Sequence, residues 1–215
     1  MRAVIELSAT IAVGAAAILM VAFRLDERRP SGSEWNFGSV IENWAAESSH
    51  GNWIGPQTAE MVVTEFVDFT CPFCRDLVPV LDSLRHRYTD QVALVILHFP
   101  LDREHSIPAA IVAECAGRQG RFGAMYRSLF AQMESFGTRH WKDFAADGEI
   151  PDTAEFNQCI GLPVDSFPAV SRGREVGERN GVVGTPAVWV NGRPYSGRNL
   201  AAFIAAAEDL GLVAR

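Results

Sequence analysis

The sequence predicts one α/β domain in which a strand–helix–strand unit is followed by a helical insert and then by a strand–strand–helix unit. Three observations carry this. Residues 61–69 are β-branched and aromatic and stop at Thr70-Cys71-Pro72, as a strand does. Between about residues 72 and 88, Leu77, Val80, Leu81 and Leu84 recur at helical spacing. Residues 92–99 form an unbroken apolar run, the pattern of a strand covered on both faces. Strand, helix and strand in this order make a βαβ unit with parallel strands.

The remaining elements follow in order. Residues 105–182 read as helices punctuated by Gly120, Gly137, Gly148 and Gly161. Ile111, Val112 and Cys115 share one helical face; Phe122, Met125, Leu129 and Met133 share another. Residues 187–190 form a short strand, and Asn191-Gly192 is a strong hairpin signal, so a partner strand is expected over about 193–196. Asn199 is placed to cap a last helix over 200–210. Residues 38–60 carry Trp44, Trp53 and a Gly55-Pro56 break and read as a lead-in packed on the domain.

The N-terminus is of another kind. Residues 7–23 carry no charge, with Arg2 before them and Arg24, Arg28 and Arg29 after. At 1.5 Å per residue the run is about 25 Å long, the short end for a membrane span. It ends in Val21-Ala22-Phe23-Arg24, without a small-x-small cleavage site. Residues 1–23 are therefore read as an uncleaved membrane anchor. A cleaved signal and a buried core helix are the competing readings. Residues 24–50 serve as linker and lead-in, with Pro30, Ser31, Gly32 and Ser33 at the centre, and residues 51–215 as the domain, its insert at about 103–182.

With 48% hydrophobic and 21% charged residues, the chain has enough apolar material for a substantial core. A net charge of -7 without a clustered basic face argues against a nucleic-acid partner. The four cysteines are Cys71, Cys74, Cys115 and Cys159, too few for a disulfide-framework miniprotein.

Cys71-Pro72-Phe73-Cys74 lies where a strand ends and a helix begins. The first helical turn offers unpaired N–H groups and the positive end of the helix dipole. A thiolate there is stabilised and reactive at neutral pH. Cys71 is thus the exposed attacking sulfur and Cys74 the recessed resolving one, and Pro72 suits the first helical position because it needs no N–H. A zinc site would require a second close ligand pair, and Cys115 and Cys159 are far apart with no matching histidine. Neither a metal nor an organic cofactor is expected. Arg75 adds positive charge near the pair or lies simply on the surface. His105 reads as a helix-start or surface group. Cys115 and Cys159, both on insert helices, form a structural disulfide or remain two buried thiols.

Residues 65–74, Glu65-Phe66-Val67-Asp68-Phe69-Thr70-Cys71-Pro72-Phe73-Cys74, resemble the active-site strand and helix of the DsbA-like branch of the thioredoxin superfamily. Residues 181–192, with Gly184-Thr185-Pro186-Ala187, are similar to that family's cis-proline loop and hairpin. His105-Ser106-Ile107-Pro108-Ala109-Ala110 and Gly120-Arg121-Phe122 are similar to its inserted helical subdomain. The likeness covers about residues 50–212 and implies a thioredoxin fold. It also implies a cis peptide before Pro186, beside Cys71, with the Thr185 backbone free to pair with an extended substrate. At Glu65 it implies a buried acid. Strand alternation sets Glu65 on the face of Val63 and Val67, where burial would raise its pKa and fit it to exchange a proton with Cys74; a solvated edge glutamate is the alternative. Phe73 departs from the family, whose strongest oxidants carry histidine there. Without that cation, the Cys71 thiol is expected to be less acidic and the pair less oxidising.

The expected function is thiol–disulfide exchange with protein substrates outside the cytoplasm, chiefly disulfide formation, with a membrane redox partner to re-oxidise the pair. If the N-terminal segment is cleaved, the domain is secreted. Reductase or isomerase activity is the first alternative, though isomerases of the superfamily usually add a dimerisation domain for which the stretch before the first strand is too short. A non-catalytic thioredoxin-fold binding protein is the second, and a glutathione-linked enzyme of this fold the third; both cysteines being present speaks against each.

Overall fold

The structure, a computed structural model, describes residues 39–214. The expected anchor at residues 1–23 and most of the linker lie outside the described residues. Among those described, no helix is long and apolar enough to cross a membrane.

Five strands form one sheet in the order β1-β3-β2-β4-β5. β2 (Met61–Val67) and β3 (Val92–His98) are the parallel pair, and every residue of both is buried. This is why neither strand shows polar alternation. The hairpin strands β4 (Ala187–Val190) and β5 (Arg193–Tyr195) extend the sheet antiparallel on one side. β1 (Asn52–Ile54) pairs antiparallel with β3 on the other. Asn191 and Gly192 both take positive φ, 46° and 75°. The Asn191 side chain accepts from the Val62 N–H at 2.7 Å and donates to the Glu60 carbonyl at 2.9 Å, which pins the hairpin to the start of β2.

The lead-in packs on this frame. A five-residue helix, α1 (Trp44–Ser48), brings the Ser48 hydroxyl 2.8 Å from that of Thr64 in a buried contact. The Ile41 N–H donates to the Gly192 carbonyl at 2.9 Å. β1 was not anticipated from the sequence. Its three residues have no periodicity of their own and become a strand only because the β3 edge offers a ladder.

α2 (Pro72–Tyr88) links β2 to β3 and buries Cys74, Leu77, Val78, Leu81, Leu84 and Tyr88. The apolar stripe thus includes Val78 rather than Val80. The insert comprises α3 (Ser106–Gly117), α4 (Phe122–Ala131), α5 (Phe144–Asp147), α6 (Thr153–Cys159) and α7 (Pro168–Arg179). Met133 falls beyond α4, in a 3-10 turn. α8 (Leu200–Asp209) closes the fold, and the Asn199 side chain caps it by accepting from the Ala202 N–H at 2.9 Å. One sheet face carries the cluster of Phe66, Leu97, Phe99, Val176, Val182 and Trp189. α7 reaches that face through Gly173, where a Cβ would come 2.3 Å from the His98 carbonyl oxygen. No other residue permits so close an approach of helix to strand.

Cys115 and Cys159 are bonded and tie α3 to α6 across 44 residues of chain. Replacing both by alanine is expected to lower the unfolding free energy by about 4 kcal/mol in the chain-entropy account, because the unfolded chain regains the freedom of that loop. Urea unfolding of the variant and the parent checks this; an unchanged midpoint would show that the bond contributes nothing.

Candidate active site

The end of β2 and the first turn of α2 place the two remaining cysteines. Cys71 is the N-cap of α2, in extended conformation at φ -91° and ψ 115°, and Pro72 follows in the first turn. The Cys71 N–H donates to the Asp68 carbonyl at 2.9 Å, which turns the chain from strand into helix. Both are free thiols, Cys74 at 0% exposure and Cys71 at 3%, so Cys71 is not the exposed sulfur the sequence suggests but is covered where it meets the Thr185 loop. The Thr185–Pro186 peptide is cis. From this loop the Thr185 carbonyl accepts from the Cys71 thiol at 3.3 Å. Residues far apart in the chain, 65, 71, 74, 185 and 186, are thereby drawn to one place by the pairing of β2 with β4.

The two thiols are driven in opposite directions. A hydrogen bond from Cys74 is the main force lowering the Cys71 pKa, to about 5; burial opposes it, and bonds involving Thr185 and the backbone N–H groups of Cys74 and Phe73 assist. Burial first, then the bond to Cys71 and the nearby Glu65 charge, push the Cys74 thiol up. The shifts favour the thiolate at Cys71 and the thiol at Cys74 near neutral pH. A value of about 5 lies between the roughly 3.5 of the strongest oxidants and the roughly 7 of thioredoxin.

Glu65 is fully buried in mid-strand, flanked across the sheet by Ile96 and Val188. Burial lifts its pKa from 4.5 to about 8; the Tyr126 hydroxyl, which donates to Oε2 at 2.8 Å, partly opposes this, and the Cys71 charge adds to it. It is not a solvated edge glutamate.

Asp68, the residue after β2, organises the entry to the catalytic turn. It is 2% exposed. Its Oδ1 accepts from the N–H and hydroxyl of Thr70, and Oδ2 from the Leu101 N–H and the Ser106 hydroxyl, all at 2.7 Å. Arg103 adds a bond to the Thr70 carbonyl at 2.9 Å. The bonds to Thr70 are local, but the sequence gives no signal for the other two, because Leu101 and Ser106 come from the loop after β3 and the start of α3.

Other candidates lie elsewhere. Arg75 pairs with Glu134 at 2.9 Å, so its charge is directed at a surface carboxylate. His105 stacks edge-on with Phe136 and Trp141 at 6.3 and 6.1 Å between ring centroids. The Cys115–Cys159 bond belongs to the insert. Phe73 is 68% exposed and, with Asp76, Leu77, Pro186 and Arg198, lines a groove of about 210 Å³ beside the pair. Among the described residues no cluster has the composition of a metal site.

A five-stranded sheet with a helical insert, a cysteine pair at a helix N-terminus and a cis-proline loop across from it define a protein of the thioredoxin fold. The chain belongs to the thioredoxin family: the family model described as Thioredoxin matches residues 47–208. In fold it resembles the thiol-disulfide exchange protein alpha-DsbA2 from Wolbachia pipientis, at 16% identity and a TM-score of 0.66 over 77% of this chain and 96% of that one. A periplasmic thioredoxin-like protein from Salmonella enterica serovar Typhimurium is similar at 21% identity and a TM-score of 0.64, over 79% and 97% of the two chains. Among curated proteins, the Na(+)/H(+) antiporter NhaA 1 of Mycobacterium sp. (strain KMS) is 31% identical over 157 residues, which is 66% of this chain. The chain spans only 24% of that antiporter's length.

Proposed function

We propose that the chain is a thiol–disulfide oxidoreductase acting on protein substrates outside the cytoplasm, tethered by residues 1–23 and working chiefly as an oxidase. The observation that carries this is the placing of one cysteine pair: Cys71 as the N-cap of α2 and Cys74 buried in its first turn, beside the cis Thr185–Pro186 loop. In the oxidising direction, a substrate thiolate attacks Sγ of Cys71 in the Cys71–Cys74 disulfide. The S–S bond breaks, Cys74 leaves and takes up a proton, and a mixed disulfide joins Cys71 to the substrate. A second substrate thiolate then attacks the substrate sulfur and expels Cys71. Its low pKa makes Cys71 a good leaving group, which favours substrate oxidation. The reduced pair returns to the disulfide by handing two electrons to a membrane redox partner.

In this scheme Glu65 supplies the proton that Cys74 takes up, or accepts the one it loses in the reverse direction. A group with a pKa of about 8 is populated in both forms near neutrality and suits either step. The Cys115–Cys159 disulfide supports an oxidising compartment. The uncharged run over residues 7–23 supports a tether, and the similarity to antiporters is in keeping with work at a membrane.

Equilibration of the purified domain with glutathione tests the direction. A potential between about -120 mV and about -270 mV, nearer the former, is expected for an oxidase milder than the strongest known. A potential at or below about -270 mV would reassign the chain to the reductases.

A further inference from the structure

We infer that Tyr126, on the helical insert, is a positioning residue that holds and orients the Glu65 carboxylate for proton transfer with Cys74. The inference rests on the exchange reading of the Cys71–Cys74 pair given above.

The Tyr126 hydroxyl donates to Glu65 Oε2 at 2.8 Å, and both residues are buried, at 1% and 0% exposure. Glu65 Oε1 is buried without a hydrogen-bond partner. The phenol is therefore the hydrogen bond that the structure gives this carboxylate, and it occupies one oxygen while leaving the other free to give or take a proton. The ring is fixed by its neighbours. It meets Phe69 edge-on at 6.2 Å and Phe130 at 5.2 Å, and stacks on Phe122 at 6.5 Å. A hydroxyl on so constrained a ring cannot follow the carboxylate around; the carboxylate must come to it.

The groups that act electrostatically on Glu65 and Tyr126 are few. α2 contributes Cys71, Cys74 and, towards Tyr126, Asp82; α4 contributes Tyr126 itself. The cross-strand neighbours Ile96 and Val188 are apolar. None of these is a cation; from β3, His98 with its partner Glu114 is set off from Tyr126 by the Phe69 and Phe122 rings, each of which meets both His98 and Tyr126. A neutral donor thus takes the part that a buried lysine or arginine would play, and it comes from the insert rather than the sheet. Hydrogen bonding to the ionised form favours that form. Loss of the phenol should make Glu65 hold its proton more tightly and so disable it as a base at neutral pH.

The test separates the two cysteines in time. Reduced protein is mixed with an excess of an aromatic disulfide whose released thiolate absorbs light. Attack by the Cys71 thiolate releases one aromatic thiolate and forms the mixed disulfide. Transfer of the Cys74 proton to Glu65, and attack of Cys74 on Cys71, then release the second. For Tyr126→Phe the first phase should match the parent. The second should slow by about tenfold to a hundredfold at neutral pH, the change in proton affinity that one hydrogen bond to a charged group gives. It should recover toward the parent rate at alkaline pH. Glu65→Gln should slow the second phase at all pH values, and adding Tyr126→Phe to it should change nothing more. Carbon-13 labelling of the glutamate carboxyls gives an independent readout, with the Glu65 titration moving upward in Tyr126→Phe.

A second phase in Tyr126→Phe that superimposes on the parent, or that falls by one factor at every pH, would overturn the inference, as would a Glu65 titration that does not move. If the parent shows no two-phase release at all, the exchange reading itself fails and the role of Tyr126 falls with it.

Discussion

Cys71→Ser is expected to abolish disulfide exchange, whereas Cys74→Ser should accumulate the protein as a mixed disulfide with its substrates. The asymmetry comes from the opposite ionisation of the two sulfurs. With a pKa of about 5, Cys71 is almost wholly thiolate at neutral pH, and a serine hydroxyl there is neither ionised nor able to form the sulfur–sulfur bond. Cys74 is fully buried and reaches only its own partner, so its loss leaves the first attack intact and removes the second. Non-reducing electrophoresis and intact mass would show the trapped adduct for Cys74→Ser and none for Cys71→Ser. Because the Cys74 hydrogen bond is the largest force lowering the Cys71 pKa, Cys74→Ala should also raise the midpoint of the thiolate absorbance titration. Serine, which still donates, should raise it less. Exchange that survives in Cys71→Ser would remove the basis for the proposed chemistry.

Glu65→Gln should change how stability depends on pH. The folded-state pKa of about 8 lies above the ordinary 4.5. For a group raised on folding, its contribution is fully present below the unfolded value and is lost as pH rises through the folded one. The Cys71–Cys74 disulfide form is the one to measure. In the reduced protein Cys71, whose pKa is lowered on folding, contributes with the opposite sign as pH rises from about 5 to 9. In the oxidised form only Glu65 remains of the three, and its loss between pH 4.5 and about 8 approaches about 5 kcal/mol. This is an upper value, since the Cys71 charge that helps raise the Glu65 pKa is absent once the disulfide forms. Urea midpoints across that range should fall for the parent and stay nearly level for Glu65→Gln. The two proteins should be close in stability at acid pH, and the variant the more stable at alkaline pH. Parallel curves for parent and variant would mean that Glu65 is not the buried acid described.

Both effects depend on residues that local pattern exposes unevenly. Cys71 and Cys74 are legible because strand, Cys-x-x-Cys and helix are adjacent in the chain, and the helix N-terminus supplies their chemistry whatever surrounds it. The Asn191-Gly192 hairpin and the Asn199 cap are legible for the same reason: the residues that need the conformation are the ones that adopt it. Glu65 was half legible. Alternation set it on an apolar face, yet a solvated edge position fits the same pattern until β3 and β4 are seen to flank β2. β1 was hidden because three residues cannot carry a period. Tyr126 and half of the Asp68 network were hidden because the partners are remote: beyond its local bonds to Thr70, Asp68 binds residues after β3, and Tyr126 reaches β2 from the middle of the insert.

The sequence by itself determined the order of elements, the reactive pair and the likeness to the DsbA-like branch, since each rests on bonds and dipoles within a few residues of chain. Tertiary structure alone decided that Glu65 is fully enclosed, that Cys115 and Cys159 meet, that Arg75 turns away to Glu134, and that the insert lends a phenol to the acid beneath the cysteines. The physical reason is the same in each case. Burial, and the direction of a hydrogen bond across a core, depend on which distant segments pack together, and pKa values follow burial and hydrogen bonding rather than residue type.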